Sequence, residues 1–330
     1  MYKFIIGCDM SKSTFDVAYF AQQDSIYLGS FPNTVEGYEA MVKQLQAKSK
    51  HRTSSWFVCF ENTGAYSKAL LNWLLAHNIP CREENPLQIS KSLGLKRGKD
   101  DKADARAICL YAYQRRDSIQ ADHLPDKRIV ILKKLLSRRA LLVRQKKALQ
   151  VSLGEQVQNL DPLLQKTFKQ QNEELLNTYS QQIKAIEQLL KQTIEQDDDM
   201  NNNNQLIQSV VGIGPITAAY LLAFTENFSC FTDARKFASY IGIAPFPNRS
   251  GTYVGKTRIS NMANKRIKSI ISNGVQAAIN HDPGIKQYFD RKVAEGKEKK
   301  KVINAVRNKI IHRVFAVVKR QTPYVKLTYA

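Results

Sequence analysis

Apolar and polar positions change period along the chain, and each change marks a different kind of element. In "YKFIIGCDMS" (2–11) an apolar run ends near Asp9, and in "STFDVAYFA" (13–21) Phe15, Val17 and Tyr19 alternate with their neighbours. "DSIYLGSF" (24–31) adds a third short segment. Period-two patterning over runs this short predicts three strands in an antiparallel meander. "VEGYEAMVKQLQAK" (35–48) has the helical period, and "SWFVCFENTGAY" (55–66) holds a buried strand that ends at Glu61. "SKALLNWLLAHN" (67–78) reads as a helix, "IPCREENP" (79–86) as a short strand and "RAICLYAYQRR" (106–116) as a helix. Three strands, helix, strand, helix, strand, helix is the ribonuclease-H-like order, so residues 1–122 are expected to form one α/β domain.

Beyond that point the pattern is helical. Leu132, Leu135, Leu142 and Leu149 follow three/four spacing, and Leu176, Tyr179, Ile183, Ile186 and Leu190 repeat it. Such stripes predict two long helices as a coiled coil or helical hairpin, with a break near Pro162 in "NLDPLL". The pair serves either as an internal hairpin or as a dimerisation arm. "EQDDDMNNNNQ" (195–205) is polar and low in complexity, and reads as a linker or exposed turn. Residues 123–204 are thus expected to be a coiled-coil arm with its linker, and 205–330 a mainly helical domain. In that domain "SVVGIGPITAAYLLAF" puts Gly212-Ile213-Gly214-Pro215 between apolar helical segments. A glycine turn there exposes backbone N–H groups at a helix start, a ready phosphate site, although a plain helix–helix turn gives the same pattern. The tail, "GKEKKKVINAVRNKIIHRVFAVVKRQ", is a basic amphipathic helix with Val302, Val306, Ile310 and Val314 on one face.

Charge changes the picture. The chain of 330 residues carries 50 Lys+Arg against 29 Asp+Glu, a net +21, which suits a polyanionic partner. Residues 1–120 hold 16 basic and 12 acidic side chains, residues 121–204 hold 13 and 11, and residues 205–330 hold 21 and 6. The last third is therefore the main candidate for gripping nucleic acid. A basic membrane-surface protein would fit the charge too, but no run of 18 apolar residues occurs and Asp9 stands where a signal peptide would be apolar. A soluble, cytoplasmic, nucleoid-associated protein without a membrane partner is expected. Cys8, Cys59, Cys81, Cys109 and Cys230 form no CxxC pair, the pattern of buried reduced thiols rather than a disulfide frame or zinc site. The five histidines show no metal-binding spacing.

"GKDDKADARA" (98–107) sets Asp101 and Asp104 three apart at the start of a helix, on one face. By itself the run is an ordinary acidic helix start. With Asp9 at the end of the first strand and Glu61 at the end of the fourth, which are neighbours in such a sheet, it becomes a candidate metal site. Four carboxylates crowded together must neutralise or bind cations, and oxygen-only ligation suits Mg²⁺ or Mn²⁺. Two such ions activate an attacking oxygen and stabilise a leaving one on phosphorus. Lys96, Arg97, Lys99 and Lys102 would then face phosphate, with Arg106 close by.

"GCDMSKSTFDVA", "FENTGAY", "KDDKADARAI", "GIGPITAAYLLA", "YIGIAPF" and "RSGTYVGKTRIS" occur in this order over nearly the whole chain. In this the chain resembles the DEDD-type insertion-sequence transposases, a group related to the Piv DNA invertases and known as bridge-RNA-guided recombinases. The resemblance implies a RuvC-like N-terminal domain, a coiled-coil arm and a C-terminal transposase domain. It implies Asp9, Glu61, Asp101 and Asp104 as metal ligands, with Asp100 a neighbour only. It further implies a serine nucleophile at Ser250 in the Ser250-Gly251 pair, with Ser260 the rival, and a covalent phosphoserine intermediate. Asn261 and Ala263 depart from the family's usual lysine and glycine. Donor and target DNA, a structured guide RNA, and a homodimer that becomes a tetramer on DNA are the implied partners. Arg249, Lys256, Arg258, Lys265 and Arg266 are the implied nucleic-acid contacts in the C-terminal domain. Two other readings stand beside this one: a Holliday-junction nuclease using the same acids with water as attacker, and a DNA- or RNA-binding assembly factor whose acids are structural.

Overall fold

A computed structural model describes residues 2–92, 100–124, 126–156, 161–260 and 263–326, the side chains of residues 153–156, 254, 256 and 258 excepted. The chain forms two compact units, Met1–Leu124 and Pro125–Ala330.

In the first unit the predicted meander is present as β1 (Phe4–Met10), β2 (Thr14–Ala21) and β3 (Asp24–Pro32). Helix α1 (Val35–Lys48), β4 (Trp56–Glu61), α2 (Ala65–Ala76) and β5 (Cys81–Glu84) follow, then α3 (Pro86–Ser92) and α4 (Asp101–Gln114). The sheet order is β3-β2-β1-β4-β5, antiparallel through the meander and parallel from β1 to β4 to β5, as the ribonuclease-H-like order requires. Successive side chains on a strand point to opposite faces. Phe4, Ile6 and Cys8 therefore join Phe15, Val17, Trp56, Val58 and Phe60 on one face, beneath Tyr38, Met41 and Leu45 of α1 and Leu70 and Leu74 of α2. Ile5, Ala18, Phe57 and Cys59 take the other face, beneath Ala105, Ile108, Cys109 and Ala112 of α4. Strands β1 and β4 are covered on both faces, which is why they read as near-continuous apolar runs. Four of the cysteines are buried here as free thiols, while Cys230 of the second unit is exposed.

Helix α4 lies very close to β1. A Cβ built on Gly7 would stand 2.2 Å from the Cys109 nitrogen and 2.7 Å from the Ala105 carbonyl oxygen. Only glycine lets the two backbones approach this closely.

The second unit begins with α5 (Lys127–Gln156) and α6 (Pro162–Glu195). The two pack as an antiparallel hairpin, with Arg139 donating to Glu187 at 2.7 Å and Lys146 to Ser180 at 2.7 Å. Asp161 caps α6 and Pro162 occupies its first turn, where proline costs nothing. Leu132, Leu136, Leu142, Ile186, Leu190 and Ile194 do not form a private seam. They join one core with Ala218–Ala223, Phe237, Ile267, Ile271, Val306, Ile310 and Val314 from later helices. Farther along the hairpin Val143, Val151, Leu163 and Phe168 are exposed.

The polar stretch 195–205 differs from the expected linker. Most of it lies in α7 (Asp198–Gln208), capped by Asp197, whose carboxylate accepts from the Met200 N–H at 2.8 Å. Met200, Asn203, Leu206 and Ile207 recur at helical spacing and are buried, and Asn203 donates to Asn227 at 2.9 Å. Tertiary burial of one face outweighs the low helix propensity of the asparagine run. Gly212 turns the chain, at φ +94, toward α8 (Pro215–Thr225). There follow α9 (Ala234–Tyr240), a hairpin of β6 (Pro245–Ser250) and β7 (Tyr253–Ile259), α10 (Lys265–His281), α11 (Pro283–Ala294) and α12 (Lys299–Arg320). Val302, Val306, Ile310 and Val314 are buried along α12, as its periodicity predicts. Gly212 also packs on Gly274 of α10, where a Cβ would stand 1.8 Å from the Gly212 oxygen. The glycine turn thus serves close helix packing.

Adding a methyl group at either glycine contact overpacks a backbone–backbone approach, at a cost of about 1–3 kcal/mol. Gly7→Ala and Gly274→Ala are each expected to lower the melting temperature by several degrees in a thermal scan. An unchanged Gly7→Ala variant would mean that α4 is not seated on β1.

Candidate active site

Strand parity and helix phase together bring the acids of the first unit to one place. On β1 the residues facing α4 are Ile5, Gly7 and Asp9, and on β4 they are Phe57, Cys59 and Glu61. Cys8 pairs with Phe60 across these parallel strands, so the next residues along, Asp9 and Glu61, are neighbours. Because α4 crosses at Gly7, its first turn falls over the strand ends. Asp101 and Asp104 lie on the same side of that turn as Ala105 and Ile108, which enter the core.

The field at Asp9 records this gathering. Its carboxyl is pushed up to about 6, first by burial and then by the negative charges of Glu61, Asp104, Asp101 and Asp16. The other three acids predicted for the site are thus within electrostatic reach of Asp9. No three of the four bring one oxygen each within 4.8 Å of each other. The donor set is entirely oxygen, half-buried at Asp9, Glu61 and Asp104, and open at Asp101. Such a set fits a hard divalent cation, whose charge would remove the repulsion that lifts Asp9.

Asp100 does a different job. It is the N-cap of α4, and its side chain accepts from the Lys102 N–H at 3.4 Å. Lys102 places its ammonium 5.5 Å from the centre of the Tyr27 ring, and Arg106 is exposed. Lys96, Arg97 and Lys99 lie outside the described residues.

Two acids that the sequence did not single out stand in the same row across the sheet. Asp16 on β2 pairs with Asp9, and Glu84 on β5 pairs with Glu61. Each meets a tyrosine hydroxyl. Tyr27 donates to Asp16 at 2.6 Å, and Tyr111 donates to the buried Glu84 at 3.1 Å. Burial, then the bond to Asp16, pushes the Tyr27 phenol up to about 12, so it stays a donor throughout the physiological range. The signal for both acids was strand parity, legible once the register of β1 with β2 and of β4 with β5 is known.

In the second unit Ser250 is the last residue of β6 and pairs with Tyr253 across a two-residue turn. Gly251 takes φ +54 there, a conformation that other residues rarely adopt. The strand is exposed throughout, and among the described side chains none hydrogen-bonds the Ser250 hydroxyl. Arg249 is exposed beside it. Lys256 and Arg258 are on β7, their side chains outside the described ones. Ser260 is half-buried just after β7. Lys265 opens α10 and is exposed. Arg266 is partly committed to packing, for its guanidinium donates to the Leu136 carbonyl at 3.0 Å and lies 5.3 Å from the Tyr220 ring centre.

Known proteins resemble the chain over both units. A model of DEDD transposases of the IS110 type matches residues 6–162, and the model described as "Transposase IS116/IS110/IS902 family" matches residues 204–290. The pilin gene-inverting proteins of Moraxella lacunata and Moraxella bovis are each 27% identical over 333 residues, covering 99% of this chain and 99% of theirs. An uncharacterized 43.6 kDa protein of insertion element IS110 from Streptomyces coelicolor is 30% identical over 119 residues, 36% of this chain and 29% of its own. Among solved structures, RuvC of T. thermophilus in complex with a Holliday junction substrate overlaps 37% of this chain and all of its own at 16% identity, with a TM-score of 0.27, too slight a likeness to weigh. With models matched at residues 6–162 and 204–290 and relatives aligned along its full length, the chain carries a DEDD transposase domain of the IS110 type and a transposase domain of the IS116/IS110/IS902 family.

Proposed function

We propose that this transposase cuts and rejoins DNA through a covalent phosphoserine, with Ser250 as nucleophile and Asp9, Glu61, Asp101 and Asp104 as the acids that serve the reacting phosphate. The observation that carries the proposal is the carboxyl of Asp9, held at about 6 by burial and by its acidic neighbours. A protein tolerates that repulsion at a site meant for cations. A divalent ion held by these residues, Mg²⁺ or Mn²⁺, would neutralise the developing charge on phosphorus and ease deprotonation of the attacking hydroxyl. Asp100 holds the start of α4 in place, and Lys102 and Arg106 offer charge to the neighbouring phosphates.

A serine hydroxyl is a weak nucleophile until its proton is removed. Its oxygen attacks phosphorus, the bond from phosphorus to one deoxyribose oxygen breaks, and the proton lost by Ser250 is matched by one gained at the leaving oxygen. The reverse step, with another strand's hydroxyl as attacker, restores a phosphodiester. One ester is exchanged for another in each direction, so no external energy source is needed. The exposed, glycine-turned tip of the β6–β7 hairpin suits a nucleophile that must reach a large substrate. Target choice by a structured guide RNA, and assembly as a dimer that becomes a tetramer on DNA, follow from the same reading. The exposed apolar residues of the α5–α6 hairpin, among them Leu163 and Phe168, suit a coiled-coil contact between copies. A hydrolytic reading, with water as attacker as at a Holliday junction, is favoured by one fact: all four acids lie in the first unit, which does not contain Ser250.

Three outcomes test these roles. Asp101→Asn and Asp104→Asn are expected to fold normally and to abolish strand cleavage. Asp100→Asn, still an able cap, keeps cleavage. Cleavage lost with Asp100 and kept without Asp101 would misplace the site.

Asp9 gives a test without catalysis. A carboxyl raised in the folded state carries a proton that the unfolded chain has already lost, so stability falls as pH rises from about 4 to about 6 and then levels. At neutral pH, without divalent ions, Asp9→Asn is expected to be more stable than the parent by on the order of 1 kcal/mol, after allowing for solvent screening. The variant is expected to lose most of the stabilisation that Mg²⁺ or Mn²⁺ gives the parent. Equal metal stabilisation of both proteins would remove Asp9 from the ligand set.

For the nucleophile, denaturing gels of cleavage reactions should show DNA attached to the parent chain at Ser250 and none attached to Ser250→Ala. Mixing Ser250→Ala with Asp101→Asn chains should restore partial cleavage if copies share sites. Cleavage that persists in Ser250→Ala without an adduct would decide for hydrolysis.

A further inference from the structure

We propose that a groove on the second unit, between α5 and the start of α10, seats the phosphate backbone of duplex DNA. The groove encloses about 710 Å³ and is lined by Lys134, Arg138, Arg144 and Arg266, with Ser137 and Leu141. The inference rests on the reading of the chain as a DNA-acting enzyme and adds a place for the duplex away from the reacting groups.

Several of the charges of α5 are neutralised by packing, and those in the groove are not. Four of its cations outside the groove have partners, while Lys127 and Lys147 are exposed: Arg128 pairs with Asp197, Lys133 with Glu226 at 3.0 Å and Arg139 with Glu187 at 2.6 Å. Lys146 donates to Ser180 at 2.7 Å. Lys134, Arg138 and Arg144, all exposed, meet no carboxylate among the described residues, and no acid lines the groove. Positions 134, 138, 141 and 144 recur every three or four residues, so they share one helical face. At a rise of 1.5 Å per residue the three cations span about 15 Å. A duplex rises about 3.4 Å per base pair along its axis, so this length corresponds to roughly four base pairs.

The fourth cation comes already fixed. Arg266 is held by the Leu136 carbonyl and the Tyr220 ring, which reduces the entropy lost when it meets a phosphate. The groove wall suits a backbone rather than bases. It presents cations, one hydroxyl and aliphatic surface, and no aromatic ring among its lining residues. Single-stranded nucleic acid is gripped by aromatic stacking, whereas duplex phosphates need only placed donors. Binding here is therefore independent of sequence, and fixes the duplex without choosing it.

The test compares three full-length proteins: the parent, Lys134→Ala/Arg138→Ala/Arg144→Ala, and a charge-matched Lys166→Ala/Lys169→Ala/Lys184→Ala set on exposed positions of α6. Alanine at exposed helical positions favours the helix, so both variants are expected to melt like the parent. Each is titrated with an arbitrary DNA duplex and, separately, with an RNA hairpin, over a range of salt. The groove variant should lower the slope of log affinity against log salt for the duplex by about 3 and weaken binding at least about tenfold near 0.1 M salt. The α6 set should leave both unchanged. A groove variant that binds the duplex as the parent does would overturn the groove and leave the DNA-acting reading intact. A loss confined to the RNA hairpin would assign the groove to RNA and sink the proposal for DNA. Equal losses in both variants would reduce it to net charge. A parent that binds no duplex at all would remove the groove together with the reading beneath it.

Discussion

The seating of α4 on β1 at Gly7 is the contact on which the gathering of acids in the first unit depends. A helix lying flat on a sheet normally keeps its distance because side chains stand between the backbones. Here the strand offers no side chain at the crossing, and the Ala105 and Cys109 backbone comes down onto it. The helix axis is thereby fixed in height and position, and its first turn falls over the ends of β1 and β4. Asp101 and Asp104 then have nowhere else to be. The same contact closes the core of Ile5, Phe57, Cys59, Ala105 and Ile108 beneath them, so the site and its support are one piece of packing.

That packing works against electrostatics. A half-buried Asp9 among Glu61, Asp101, Asp104 and Asp16 costs free energy, and its carboxyl is raised accordingly. The sheet limits the cost at its flanks. Asp16 is satisfied by Tyr27 and Glu84 by Tyr111, so the outer acids of the row keep hydrogen-bond donors of their own. The tension is thus concentrated at the centre, where Asp9 stands next to Glu61. Whatever brings positive charge there would relieve that repulsion.

The second unit is organised by a different constraint, the burial of long apolar stripes. Helices α5 and α6 give their inner faces to the same core as α8, α10 and α12. Once those faces are buried, the remaining faces of α5 are free to differ, and its cations divide into paired and unpaired sets. The close approach of Gly212 and Gly274 draws the turn before α8 onto α10, the helix whose first residues carry Lys265 and Arg266. Packing and charge display are therefore coupled in this unit, as they are in the first.

Much of this was determined by the sequence alone. Short apolar and period-two runs marked β1 to β5, the three/four stripes marked α5, α6 and α12, and Asp9, Glu61, Asp101 and Asp104 were legible as acids at element ends. These signals are local, and local periodicity survives in a one-dimensional reading. Contacts between distant segments do not. The asparagine-rich stretch 198–208 became a helix because Met200, Leu206 and Ile207 found a core. Asp16 and Glu84 entered the acidic row only through strand register. Arg266 turned partly inward because Leu136 and Tyr220 stood within its reach. The segment 121–204, nearly neutral by count with 13 basic and 11 acidic side chains, presents an unpaired basic face. Its acids and several of its cations cancel across helix contacts, and only the tertiary structure decides which charges are left over.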